Sequence, residues 1–387
     1  MNLKKIVRQV HLWLGLTSGL FVFVIAITGC IYAFQEEIQN ATQPYRFVEE
    51  KKSTFILPSK IIEIAEKELP NKHLHAVMYQ GRNRSAKAIF YSEKEQYYYF
   101  VYINQYSGKV LYVSNENASF FRFILDGHYY LWLPPRIGKP MVATTTLVFF
   151  IMLISGIFLW WPRNKNGRRQ RFRIKWNAKW RRKNYDLHYV LGFYIFMLAV
   201  LFSITGLVWG FQWFNKIYYA AITGGKTFIE YQQPVSVLSK VNTSSVLPID
   251  KLWLHLNAEN PSTSAIEIHP PEDSVSCIAV NINPDPTTYW KTDYRYFDQY
   301  SLNELSVKHM WGRYHQLSGS DKLMRMNYDI HVGAVLGITG KIMAFLASLI
   351  IASLPITGFF IWWGKRNKVK PTATMDESPV SFMDSKS

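Results

Sequence analysis

Residues 10–35 read VHLWLGLTSGLFVFVIAITGCIYAFQ, a stretch without a single Asp, Glu, Lys or Arg. A helix on the surface of a soluble domain would carry a polar face. About 20 consecutive apolar residues instead match the hydrocarbon thickness of a bilayer. Three further windows share the property: Met141–Trp161, Leu187–Asn215 and Ile342–Gly364. Trp13, Trp160, Trp161, Trp209, Trp213, Trp362 and Trp363 stand near the window ends, where aromatic rings favour the membrane interface. The first window is too long for a cleaved leader, and no small-x-small cleavage site precedes Glu36. The chain therefore reads as an α-helical membrane protein with transmembrane helices at 10–35, 141–161, 187–215 and 342–364.

Charge fixes the orientation. The 387 residues carry 44 Lys and Arg against 27 Asp and Glu, a net +17. Such an excess first suggests nucleic acid, but its position argues otherwise. The N-terminus (1–9), the loop 162–186 and the tail 365–387 hold 19 of the basic residues and account for +15 of the net charge. Short basic segments beside spans face the cytoplasm, so nucleic acid is not a partner and membrane lipid is. Residues 36–140 and 216–341 then lie outside the cytoplasm as two large, nearly neutral segments. With 49% hydrophobic and 16% aromatic residues the chain is not disordered. Two cysteines, Cys30 and Cys277, make no disulfide scaffold. In the first outer segment Pro58–Leu69 has helical periodicity, and alternating runs follow at Leu74–Tyr79, Ala86–Tyr91, Tyr97–Ile103 and Lys109–Val113. The pattern predicts an α+β outer domain, one helix on a small antiparallel sheet.

The chain also repeats itself. His11-Leu-Trp-Leu-Gly15 aligns with His188-Tyr-Val-Leu-Gly192, Ile27-Thr-Gly29 with Ile204-Thr-Gly206, and Phe34-Gln35 with Phe211-Gln212, all at an offset of 177. Ile154-Ser-Gly156 and Trp160-Trp161 align with Ile356-Thr-Gly358 and Trp362-Trp363 at an offset of 202. Asn104-Gln-Tyr-Ser107 echoes Asp298-Gln-Tyr-Ser301. The expectation is two parallel repeats, each span, outer domain, span.

Four of the ten histidines sit at related places. His11 and His188 open the first and third spans, and His128 and His331 precede the second and fourth. Duplication brings such residues together across a symmetry axis, and two facing imidazoles make a six-coordinate haem site. Gly15 and Gly192, four residues on, share the helix face of their histidines and leave room for a flat macrocycle. Taken singly, a histidine at a span end is more often a packed residue than a ligand, and Gly15 with Gly19 forms a GxxxG that helix packing explains as well. His11, His188, His128 and His331 are thus the candidate axial ligands to haem iron. His73 and His75 alternate on one strand, as surface residues or a metal pair; His309 and His315 line an outer pocket or replace His128. Arg122, Arg136, Arg313 and Arg325 meet headgroups or an anionic ligand. The sequence has no CxxCH, GxGxxG, Walker, HExxH or GxSxG motif, and its cytoplasmic segments are too short for a flavin or nicotinamide domain.

The opening from His11 to Gly29, the stretch Asp329-Ile-His331-Val-Gly333 with Gly337, and the ending Ile356-Thr-Gly358 with Trp362-Trp363 resemble the PepSY-associated transmembrane family of bacterial inner-membrane proteins. Residues 54–115 are similar to a PepSY domain. The resemblance implies a periplasmic PepSY-like domain at 36–140, a second periplasmic domain at 216–341, and an oxidoreductase that moves electrons through two b-type haems to reduce ferric siderophores at the periplasmic face. Quinol or another redox protein would donate the electrons. The contrasting expectation is a non-enzymatic, membrane-anchored PepSY module that regulates a periplasmic partner such as a peptidase. A transporter is a weaker third, since the spans offer no charge to couple.

Overall fold

The computed structural model describes residues 3–162, 171–237, 246–260 and 264–366. Part of the basic loop (163–170) and most of the C-terminal tail lie outside the described residues. Four helices are long and apolar enough to cross a membrane: α1 (Leu3–Tyr32), α5 (Pro135–Trp160), α6 (Trp180–Gly210) and α11 (Gly337–Arg366). They pack in the ring α1–α5–α6–α11–α1. Their common centre is a cluster of Val22, Ala26, Leu153, Ile195, Ala199, Ala347, Ile351 and Ala352, small enough to let the backbones approach. Leu20, Ile151, Met197 and Leu346 point outward. That outer surface suits lipid and not water.

The helices overrun the charge-free windows. Lys4, Lys5 and Arg8 continue α1 below residue 10, and α6 begins at Trp180 instead of Leu187. A window that stops at the first charge finds the hydrocarbon limit, while the helix runs on into the headgroups. At the other ends the windows were too long. After Gly210 the backbone becomes extended at Phe211 (φ −135°, ψ 125°), and a separate α7 (Gln212–Thr223) starts. After Tyr32 a break likewise leads into α2 (Gln35–Thr42). Both Phe-Gln pairs of the repeat thus mark a bend that ends a span.

On one side of the bundle stands a single antiparallel sheet of eight strands, in the order β4-β3-β2-β1-β5-β6-β7-β8. The strands are β1 (Leu74–Tyr79), β2 (Ala86–Ser92), β3 (Tyr97–Ile103), β4 (Val110–Asn115), β5 (Ala265–His269), β6 (Ile278–Asn283), β7 (Asp293–Phe297) and β8 (Glu304–Leu305). The first four coincide with the alternating runs. The small sheet read for the first outer segment alone is enlarged, because β1 pairs with β5 (Val77 opposite Ile268, Tyr79 opposite Ile266). That pairing removes two open edges that separate sheets would expose. Helices α3 (Pro58–Glu68) and α8 (Pro248–Glu259), each with Pro at its first turn, cover one face. Ile61, Ala65, Leu252, Trp253 and Leu256 pack there on Val77, Phe90, Ile268 and Val280. Asp250 of α8 caps α3, accepting from the backbone N–H and hydroxyl of Ser59 at 2.9 and 2.6 Å. The Asn104 and Asp298 turns are built alike, each side chain accepting the N–H two residues on. Between the sheet and the bundle lie α4 (Phe120–Tyr130), α9 (Gly319–Arg325) and α10 (Asn327–His331).

Candidate functional site: two histidine cavities

The bundle encloses two cavities. The one nearer the sheet has a volume of about 540 Å³ and is lined by His128 of α4 and His331 of α10, with Gly29, Gly206, Trp209 and Tyr328. The one on the far side, about 550 Å³, is lined by His11 of α1 and His188 of α6, with Gly15, Gly156, Gly192 and Gly358. Val22 and Phe149 line both. The cavities thus abut at mid-bundle, although the helices that carry them are 26 to 31 residues long.

Each histidine is held through Nδ1 by another element. His11 Nδ1 lies 2.8 Å from Ser155 Oγ, His188 Nδ1 2.9 Å from Thr357 Oγ1, and His331 Nδ1 2.7 Å from Thr205 Oγ1. Each hydroxyl already gives its one hydrogen to a carbonyl of its own helix: Ser155 to Met152, Thr357 to Ser353 or Leu354, Thr205 to Leu201 or Phe202. The oxygen can then only accept, so Nδ1 carries the proton and Nε2 keeps its lone pair. His128 reaches the same state by a different partner. Its Nδ1 donates to the Ile25 carbonyl at 2.8 Å, with Thr28 Oγ1 at 3.5 Å. Among the described residues no hydrogen bond engages Nε2 of any of the four. A fixed Nδ1–H and a free Nε2 are what a histidine ligand to a metal needs.

The glycines complete each arrangement. A Cβ at Gly29 would lie 3.0 Å from His128 Cε1, and one at Gly156 or Gly358 would lie 3.4 Å from Cε1 of His11 or His188. At Gly206 it would lie 3.7 Å from His331 Cε1. The triplets Ile27-Thr-Gly29, Ile154-Ser-Gly156, Ile204-Thr-Gly206 and Ile356-Thr-Gly358 are therefore four copies of one device. The hydroxyl or its turn orients a histidine, and the glycine makes space for its ring. Read as sequence, the triplets established the repeat but not this purpose, although their fourfold recurrence was the available signal. A Cβ at Gly192 would have Leu354 Cδ2 as its nearest neighbour at 3.9 Å, whereas one at Gly15 would lie 3.1 Å from Met152 Cε and one at Gly19 3.3 Å from Pro355 Cβ, so the room expected beside Gly15 is taken by Met152.

The sheet-side donors have the spacing of two ligands to one haem iron. The rings of His128 and His331 are 6.1 Å apart between centroids and inclined at 66°. Two imidazoles sharing one iron, each bonded at about 2 Å, place their centroids roughly 6 Å apart. Burial pushes the His331 imidazole down to about 3, with His128 adding to the effect, and burial lowers His128 too. Both are neutral at physiological pH and free to ligate.

The remaining sequence candidates fall elsewhere. His309 and His315 line a separate polar pocket of about 630 Å³ with Tyr296, Glu304 and Arg313, and His309 Nε2 bonds the Gln232 carbonyl. Neither belongs to the cavity of His128. His75 contacts His269 ring to ring at 4.8 Å, and no cluster of His, Cys, Asp or Glu among the described residues suits a bare metal ion. Arg122 pairs with Asp126 and Arg313 with Glu304; Arg136 is exposed; Arg325 is buried among Tyr294, Trp311 and Tyr314. Cys30 and Cys277 are both buried and free.

Four apolar helices around two histidine-lined cavities, with a sheet domain on one side, define an integral membrane protein of α-helical type. The PepSY-associated TM region matches residues 8–365, and the chain belongs to that family. No curated protein matches the sequence.

Proposed function

We propose that this protein is a haem-b-dependent oxidoreductase of the bacterial inner membrane that passes electrons across the bilayer and reduces ferric siderophores at the periplasmic face. The observation that carries this reading is that four histidines, each with Nδ1–H fixed and Nε2 free, stand in two pairs in abutting cavities. His11 and His188 would hold one haem and His128 and His331 the other. Haem iron between two imidazoles supplies reversible one-electron chemistry without a change of ligands. The chain's own part is to keep Nε2 unprotonated, to exclude water with Val22, Phe149, Phe202 and Ile351, and to hold the two sites close at the bundle centre.

By the positive-inside rule both termini and the loop 162–186 would face the cytoplasm and the sheet the periplasm, with two parallel repeats meeting where β1 pairs with β5. Quinol or another redox protein would supply the electrons. Each quinol would release two electrons and two protons, enough for two ferric chelates. A siderophore's hard oxygen donors hold iron(III) far better than iron(II), so reduction frees the metal.

The test is anaerobic. Purified protein in liposomes loaded with a quinol-regenerating system receives a ferric hydroxamate and a ferrous-specific indicator outside. Ferrous iron should form with the wild type and not with H128A or H331A. Equal rates in all three would refute the assignment.

A further inference from the structure

Arg122-x3-Asp126-x-His128 and Arg325-x3-Asp329-x-His331 share one spacing, yet the folded copies use the acid differently. In the first, Arg122 Nε and Asp126 Oδ1 lie 2.9 Å apart across one helical turn, each about a third exposed. In the second the pair is parted. Asp329 is fully buried, and its two oxygens accept the backbone N–H groups of Tyr289 and Trp290 at 2.9 and 3.0 Å. Arg325 donates to the carbonyls of Thr292 and Gly312. The segment Tyr289–Thr292, which links β6 to β7 of the sheet, is thus gripped at both ends by the helices leading to His331.

Helix α10 is five residues long, too short to hold its own shape. Its place is set by three anchors: the Asp329 bonds, Asn327 Nδ2 donating to the Thr205 carbonyl at 3.1 Å, and His331 Nδ1 on the Thr205 hydroxyl. Tyr289 itself is exposed and meets Tyr328 edge to face at 5.1 Å, and Tyr328 lines the sheet-side cavity. A force on the segment therefore reaches His331 through a buried carboxylate.

We propose that Asp329 is a positioning residue for His331, and that it makes the Tyr289–Thr292 segment of the sheet domain part of the support of the sheet-side haem site. Asp126, its counterpart in the first copy, has no such role. The proposal rests on the haem reading above. In D329N the amide –NH2 would replace one acceptor and oppose a backbone N–H, so one of the two bonds is lost.

The experiment uses full-length haem-loaded protein in nanodiscs, as wild type, D329N and D126N, with an H188A background to isolate the sheet-side haem. Haem transfer to apomyoglobin is followed in the H188A background, and the EPR signal of each haem in the same three proteins with His188 intact. D329N should release the sheet-side haem about 10-fold faster, the low end for an outer-shell partner. The same haem's EPR signal should shift while the far-side signal stays, and D126N should match wild type in both. Should D329N fail to assemble, D329S, which retains one acceptor, takes its place with the same expectation. Unchanged release and EPR, equal change at both haems, or an equal effect of D126N would each overturn the proposal. A wild type that binds no haem would refute the functional reading instead.

Discussion

Replacing Thr205 by Val tests the orienting role of the hydroxyls with almost no change of volume. Thr205 Oγ1 is the acceptor for His331 Nδ1–H at 2.7 Å. With a methyl in its place, the buried N–H is orphaned, at a cost of about 1–3 kcal/mol. The alternative is that the ring moves its proton to Nε2 and loses the lone pair that would bind iron. At about 1.4 kcal/mol per tenfold, the first route alone weakens haem retention roughly 5- to 140-fold. That range overlaps the roughly 10- to 100-fold typical of outer-shell partners. Thr28→Val is the matched control, because His128 Nδ1 already donates to the Ile25 carbonyl at 2.8 Å and stands 3.5 Å from Thr28, beyond normal bonding distance. It should change retention less than about 2-fold. The assay is haem per chain by pyridine haemochrome after purification, with the release rate to apomyoglobin. Equal losses in T205V and T28V, or none in T205V, would refute the claim that Nδ1 acceptors hold the ligands ready.

Glycine to alanine at position 29 should lower sheet-side haem occupancy, because the new methyl sits 3.0 Å from His128 Cε1; G358A, at 3.4 Å from His188, should have a milder effect on the far-side haem. Val22→Trp should diminish both haems at once, as Val22 lines both cavities and overpacking one wall intrudes on each; haem stoichiometry checks both. Lys87 is buried on the sheet beside the Phe100 and Tyr102 rings, and burial lowers its ammonium from 10.5 to about 7, with Arg46 and Arg84 adding to it. Between those values the unfolded chain binds the proton that the folded one has lost, so stability rises with pH through this window. K87M should therefore raise the melting temperature most below pH 7, and the gain should shrink toward pH 10.

The spans were legible because the bilayer imposes a length and forbids charge, and both are written locally at residues such as Val10–Gln35. The histidines were legible as a group because the short motifs around them recur at fixed offsets along the chain. The strand pairing of Val77 with Ile268 was not, since a register between residues so far apart depends on how the two segments fold together. The same holds for the hydroxyl partners. Ser155 lies 144 positions from His11, and Thr205 lies 126 from His331, so no local periodicity links them. The bends at Tyr32 and Phe211 escaped because Ala33 to Gln35 and Phe211 to Asn215 carry no charge. Apolar content alone does not reveal where a helix stops. The difference between Asp126 and Asp329 is wholly tertiary, two identical spacings with different neighbours.

The most direct measurement is haem stoichiometry with reduced-minus-oxidised spectra on purified wild type and the variants H11A, H188A, H128A and H331A. Two b-type haems per chain in the wild type are predicted, with H11A and H188A each losing the same one and H128A and H331A each losing the other. A wild type without a b-type spectrum, or haem retained in full by all four variants, would contradict the account.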